Sequence, residues 1–185
     1  TGGHSGMDIH LGRGNANKLM NRVLMKLTRD LSVSVSEIDG GSLRNAIPRE
    51  SFSIITVEKA KEVEFEDLMI EFQKVLKAEY KITDPNIEIN WEETAMPESL
   101  LSDEFQKDIL SAIYACPNGI YRMSPDIEDL VQTSNNIARV LVKNGEYQVL
   151  CLTRSSVETE KMDEAEAIRS AFEPIGADVS FSGSY

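Results

Sequence analysis

The order of helix-like and strand-like periodicities along these 185 residues predicts an α+β fold, a two-layer sandwich of a largely antiparallel sheet with helices on one face. Three observations carry the prediction. Four segments repeat apolar residues every three or four positions, the period that gives a helix one buried stripe. Short alternating segments fall between them in the order helix, strand, strand, helix, strand, and that order occurs twice. Asn144-Gly145, between two apolar runs, is a strong signal for a tight antiparallel hairpin. The chain therefore reads as one domain over 1–185 made of two ferredoxin-like αββαβ units, with pseudo-halves at about 1–93 and 94–185. The first unit lacks its leading strand.

Asn15 offers a side-chain oxygen to the free amides of a first helix, from about Ala16 to Asp30, with Leu19, Met20, Val23, Leu24, Leu27 and Leu31 as its stripe. Val33 to Ile38 reads as a strand, followed by a turn at Asp39-Gly40-Gly41-Ser42. Pro48 lacks an amide proton and holds Ile47 extended, so Leu43 to Arg49 suits a sheet edge or bulge. Phe52 to Val57 forms the next strand. A second helix spans about Glu62 to Tyr80 on Phe65, Leu68, Met69, Phe72, Val75 and Leu76, with Glu62, Glu64 and Glu66 at its positive end. Ile87, Ile89 and Trp91 alternate as a closing strand.

Ser102 caps a third helix with Phe105, Ile109, Ile113 and Cys116 inward, stopped by Pro117-Asn118-Gly119. Strands near Val131 to Val142 and Tyr147 to Arg154 flank the Asn144-Gly145 hairpin. A fourth helix spans about Thr159 to Ile175, ahead of a last strand at Val179 and Phe181.

Composition excludes several classes of function. The net charge of −12 argues against a nucleic-acid surface, which needs clustered Lys and Arg. The imbalance is uneven: residues 1–60 hold eight Lys and Arg against six Asp and Glu, and the remainder eleven against twenty-five. A small anion would thus be met near His4 and Arg44. No apolar run approaches a membrane span and no signal peptide is evident, so the expected setting is cytoplasmic, with no membrane partner. Cys116 and Cys151 form no disulfide framework and no CxxC pair, and read as buried free thiols. His4, Asp8 and His10 on a glycine-rich loop make a poor metal site, so no metal is expected on this chain. No P-loop, GxSxG or dinucleotide fingerprint is present.

From the residues alone, the glycine-rich opening reads either as a simple turn with a surface histidine or as a site. Specific blocks point to the second reading. Thr1-Gly2-Gly3-His4-Ser5-Gly6-Met7-Asp8-Ile9, Gly12-Arg13-Gly14-Asn15-Ala16, Gly40 through Glu50 (GGSLRNAIPRE), Thr133-Ser134-Asn135-Asn136 and Arg154-Ser155-Ser156 resemble the aminoacyl-histidine dipeptidases, also called cytosol non-specific or β-alanyl-histidine dipeptidases. The chain departs from that family at Asn135 and Ala138, where an aliphatic residue and Gly are usual.

The resemblance implies a dimerisation-type α+β lid domain, excised from an enzyme whose catalytic domain holds two zinc-type divalent metals and is absent here. Tyr185 would lie close to where the parent chain returns to that domain. Carried over by motif, His4 would donate a hydrogen bond to the scissile carbonyl as it becomes an oxyanion, and Asn45 would help hold the substrate. Arg154 would grip the C-terminal carboxylate of a dipeptide, with Asn136 as a further substrate contact. The lid would cap Xaa-His and other dipeptides, partner its own catalytic domain, contribute to a homodimer, and be inactive alone. The alternative is a stand-alone amino-acid-sensing or dimerisation module.

Overall fold

A computed structural model describes residues 1–183; Tyr185, expected near the return to a neighbouring domain, lies outside the described residues. The elements are β1 (Gly3–His4), α1 (Ala16–Leu31), β2 (Ser34–Gly40), β3 (Ala46–Ile47), β4 (Ser51–Thr56), α2 (Glu62–Glu79), α3 (Asp103–Ala115), β5 (Gly119–Met123), β6 (Val131–Lys143), β7 (Glu146–Ser155) and α4 (Glu158–Phe172). All pairings are antiparallel. β6 is the spine of the main sheet. It pairs with β7 along 133–143, with β5 at its beginning and with β2 at 140–142, and β4 adds to the far side of β2. Because β2 pairs with β6, early and late parts of the chain share one sheet.

The fold class is as the sequence predicts, α+β with an antiparallel sheet and four helices, but the closing strand of each unit does not form. Ile89 donates its amide to Gln73 Oε1 at 2.7 Å, and Trp91 meets Phe65 edge-on at 6.3 Å, so this segment lies along α2 as extended chain. Near the end of the chain, Val179 packs on the core and Phe181 lies 4.4 Å beneath the Arg169 guanidinium of α4. In both places a single apolar side is satisfied by a helix surface as well as by a sheet, and alternation alone does not distinguish the two. Conversely, Gly119–Met123 is a strand the sequence pattern does not signal. Four of its five side chains are exposed, and two register shifts interrupt its pairing.

The helices pack side by side in the order α2, α1, α3, α4. α1 serves two cores. Leu24 joins Val35, Ile38, Ile109, Ile113, Ile137, Val140 and Phe172 beneath α3 and α4, whereas Val23, Leu27 and Leu31 join Val33 and Met69 beneath α2. Asn15 caps α1 as predicted, accepting from the amides of Asn17 (3.0 Å) and Lys18 (3.2 Å). The end of α3 is closed by a side chain from α1. Lys18 Nζ donates to the carbonyls of Ile113, Tyr114 and Cys116 at 2.7–3.0 Å, which occupies C-terminal groups that a helix leaves unpaired. Ser102 accepts from Phe105 N at the other end of the same helix.

Among the buried polar groups without such compensation, one is a carboxylate. Glu164 on α4 is 0% exposed, and neither carboxylate oxygen has a hydrogen-bond partner among the described residues. Burial pushes its carboxyl up to about 7. No helix is long and apolar enough to cross a membrane among the described residues.

Candidate functional site

The loop bearing His4 is held from three sides. β1 pairs with β3, His4 opposite Ala46 and Gly3 opposite Ile47, which ties the glycine-rich opening to the RNAIP segment. Gly2 is in the left-handed region (φ +67°), and a Cβ there would sit 2.6 Å from the Ile47 carbonyl oxygen, so the close approach requires glycine. Ser5 N donates to Asn45 O at 2.8 Å. From inside the loop, Asp8 Oδ2 accepts from His4 N at 2.8 Å, and Arg13 donates to Gly2 O at 2.8 Å while approaching Asp8 at 3.5 Å.

This local geometry decides the imidazole tautomer. His4 Nδ1 accepts the amides of Gly6 (3.2 Å) and Met7 (3.0 Å), so in the neutral ring the proton resides on Nε2. The side chain thus offers one N–H donor while its other nitrogen is fixed by backbone.

Arg154 reaches the same loop from a point 150 residues later. It stands on β7 opposite Ser134 of β6, and its Nε lies 3.1 Å from the position a Cβ on Gly6 would take. The guanidinium rests directly on the loop two residues past His4. Among the described residues its buried Nε has no hydrogen-bond partner and the guanidinium forms no ion pair with a carboxylate. Arg154, Arg44 and Gly6 share a groove of about 1170 Å³ between β7, α4 and residues 176–183. The site therefore brings to one loop an imidazole N–H donor and a guanidinium that, among the described residues, has no carboxylate on it, a pairing able to hold an anionic group.

Of the other predicted residues, Asn45 is exposed beside the loop. Asn136 is 1% exposed, and its amide is engaged at both ends: Nδ2 donates to Ala46 O at 2.8 Å, and Oδ1 accepts from Asn15 at 3.1 Å. It lines a separate cavity of about 560 Å³ with Asn15, Asn118 and Ile47. A lattice of neutral amides extends from it: Asn15 Nδ2 also bonds Asn118 Oδ1 (2.9 Å) and Ile137 O (3.0 Å), and Asn118 Oδ1 accepts from Ile137 N (2.9 Å). Sequence reading assigns Asn15 a cap and misses this second role, which only the spatial neighbours reveal. It also misses the Asp8–Arg13 brace, although the four-residue step from His4 to Asp8 inside one glycine-rich motif carries that signal. Among the described residues, no three His, Cys, Asp or Glu side chains are grouped to hold a metal ion.

Comparison with known proteins bears on this arrangement. The peptidase dimerisation domain family matches residues 1–84. Across 184 residues, all of this chain, the sequence is 33% identical to the cytosol non-specific dipeptidase of Escherichia coli (strain K12), of which it covers 38%. The crystal structure of aminoacylhistidine dipeptidase from Vibrio alginolyticus superimposes with a TM-score of 0.97 at 37% identity, again over the whole of this chain and 38% of that one. The chain thus spans well under half the length of the relatives it matches.

Proposed function

We propose, from the match of residues 1–84 to the peptidase dimerisation domain family and the likeness of the whole chain to the cytosol non-specific and aminoacylhistidine dipeptidases, that residues 1–185 act as one unit that caps the substrate of a cytoplasmic metal-dependent dipeptidase. His4 Nε2–H donates to the carbonyl oxygen of the scissile bond as negative charge grows on it. A donor aimed at charge that exists only in the transition state lowers the barrier by about 2.7–4 kcal/mol. Arg154 binds the free C-terminal carboxylate with two parallel N–H groups, which selects dipeptides, Xaa-His among them, over longer chains. Asn45 contacts the substrate from the exposed side of the loop. Asn136 bears on the substrate through the Ala46 carbonyl it holds.

The observation that carries this reading is the convergence on one loop of an imidazole whose Nδ1 is already occupied and a guanidinium without a carboxylate partner. Among the described residues no three His, Cys, Asp or Glu side chains are grouped to hold either of the two zinc-type metals that such a peptidase employs. They fall to the part of the enzyme that this segment does not include, and the segment by itself is inactive. The long edge of β7, paired on one side only among the described residues, favours a homodimer.

The test is made in the full-length enzyme. His4→Ala lowers kcat by about 10²–10³ with KM little changed. Arg154→Met raises KM for a dipeptide but not for its C-terminal amide. Unchanged kinetics in both folded variants would refute the capping role, and micromolar binding of free amino acids by the segment alone would favour a sensor instead.

A further inference from the structure

Cys116 and Cys151, the chain's only cysteines, are brought together by the fold. Cys116 sits at the C-terminal cap of α3 and is 1% exposed; Cys151 lies in β7 opposite Ile137, partly buried, and lines the groove shared with Arg154. Their sulphurs are 3.9 Å apart with no bond between them. The gap to a bonded pair is about 1.9 Å, the scale of a side-chain rotation.

The two thiols are not equivalent. Cys116 is the more deeply buried by exposure, its Sγ 3.6 Å from the Pro117 carbonyl and 3.9 Å from Cys151 Sγ. The contact between the two sulphurs holds the Cys151 thiol below its ordinary range and pushes Cys116 up. The Asn135 side chain and the charge of Lys18, anchored on the Cys116 carbonyl at 3.0 Å, act in the same direction on Cys151, and burial first, then the charge of Glu164, oppose them. The more acidic thiol belongs to the residue that lines the groove, and the other lies 3.9 Å from it, beneath the end of α3.

We propose that Cys116 and Cys151 form a reversible disulfide site, in which Cys151 is the sulphur attacked by peroxide and Cys116 the resolving thiol. In the first step the Cys151 thiolate displaces hydroxide from hydrogen peroxide, giving a sulfenic acid as the peroxide bond breaks. In the second, the Cys116 sulphur attacks the sulfenic sulphur, and the departing oxygen leaves as water with the Cys116 proton. Two electrons pass from the two sulphurs to the peroxide, and one S–S bond joins the end of α3 to β7. A dithiol reverses the step by exchange. None of this rests on the substrate-capping role, and its readouts do not involve hydrolysis.

The test uses the reduced full-length protein treated with hydrogen peroxide, followed by alkylation and peptide-resolved mass spectrometry. The expected result is a Cys116–Cys151 linked peptide that dithiothreitol removes. In Cys116→Ser the reaction stalls at the sulfenic acid, so dimedone labels Cys151 at least about tenfold more than in the wild type. Two buried thiols that merely pack as small apolar groups give the opposite outcome. Both would remain alkylatable after unfolding, or Cys151 would take up dimedone equally with and without Cys116, and either result overturns the proposal. The wild-type linked peptide is informative even where a serine variant fails to fold.

Discussion

The unpartnered carboxylate of Glu164 makes stability depend on pH in a direction opposite to that of most acidic groups. Its carboxyl ionises near 7 in the folded chain, against 4.5 in an open one. Between those values the folded form binds a proton that the unfolded form has released, so stability falls as pH rises through this window. Below about 4.5 both forms are protonated and the group is neutral in its effect. Above about 7 both are ionised and the full burial cost applies, about 3 kcal/mol at 1.36 kcal/mol per pH unit. Glu164→Gln keeps the shape of the protonated acid and cannot ionise. We expect the variant to match the wild type at pH 4.5 and to exceed it by about 3 kcal/mol at pH 8, read as a rise of roughly 6–12 °C in Tm. Urea titrations followed by circular dichroism at the two pH values measure the difference. A gain of the same size at both, or a loss at pH 8, would refute the assignment of a buried, uncompensated charge.

Three further substitutions probe the scaffold. Gly41 has a φ of +70°, and a Cβ there would overlap the Ala138 carbonyl oxygen, so Gly41→Ala should cost about 3 kcal/mol or more in chemical denaturation. Lys18→Met keeps the aliphatic stem but leaves three carbonyls at the end of α3 without their donor; a loss of about 2 kcal/mol is expected, with faster amide exchange around Cys116. Asp8→Ala releases the His4 amide and the Arg13 brace. Global stability should fall by about 1 kcal/mol, while kcat of the full-length enzyme drops by roughly tenfold through the displaced imidazole, and an unchanged kcat would separate Asp8 from the His4 loop.

Most of the architecture was legible because local signals agreed with the tertiary ones. Asn15 and Ser102 cap their helices, Asn144-Gly145 turns the hairpin, and the stripes of α1 and α3 face the cores. The two expected strands that do not form share a cause. Ile87 to Trp91 and Val179 to Phe181 each present one apolar side, and the sequence does not say whether a strand or a helix will cover it. The candidate site was legible as motifs, and the motifs do meet: His4, Asn45 and Arg154 gather at one loop from positions as far apart as 150 residues. What the letters did not carry is direction. The tautomer of His4 depends on two amides folding back over Nδ1, and the engagement of Asn136 at both ends of its amide depends on Ala46 and Asn15 arriving on opposite sides. The nearness of Cys116 to Cys151 follows only from the docking of α3 on β7.

The lattice of asparagine amides behind the His4 loop has one more consequence. Asn15, Asn118 and Asn136 and the backbone groups they meet carry no formal charge. Changes in ionic strength therefore neither screen nor weaken these bonds. This part of the footing beneath the loop is indifferent to the electrolyte around it, whereas the Asp8–Arg13 brace and the Arg154 guanidinium remain sensitive to it, so added salt should loosen the hold on an anionic ligand before it disturbs the amide lattice.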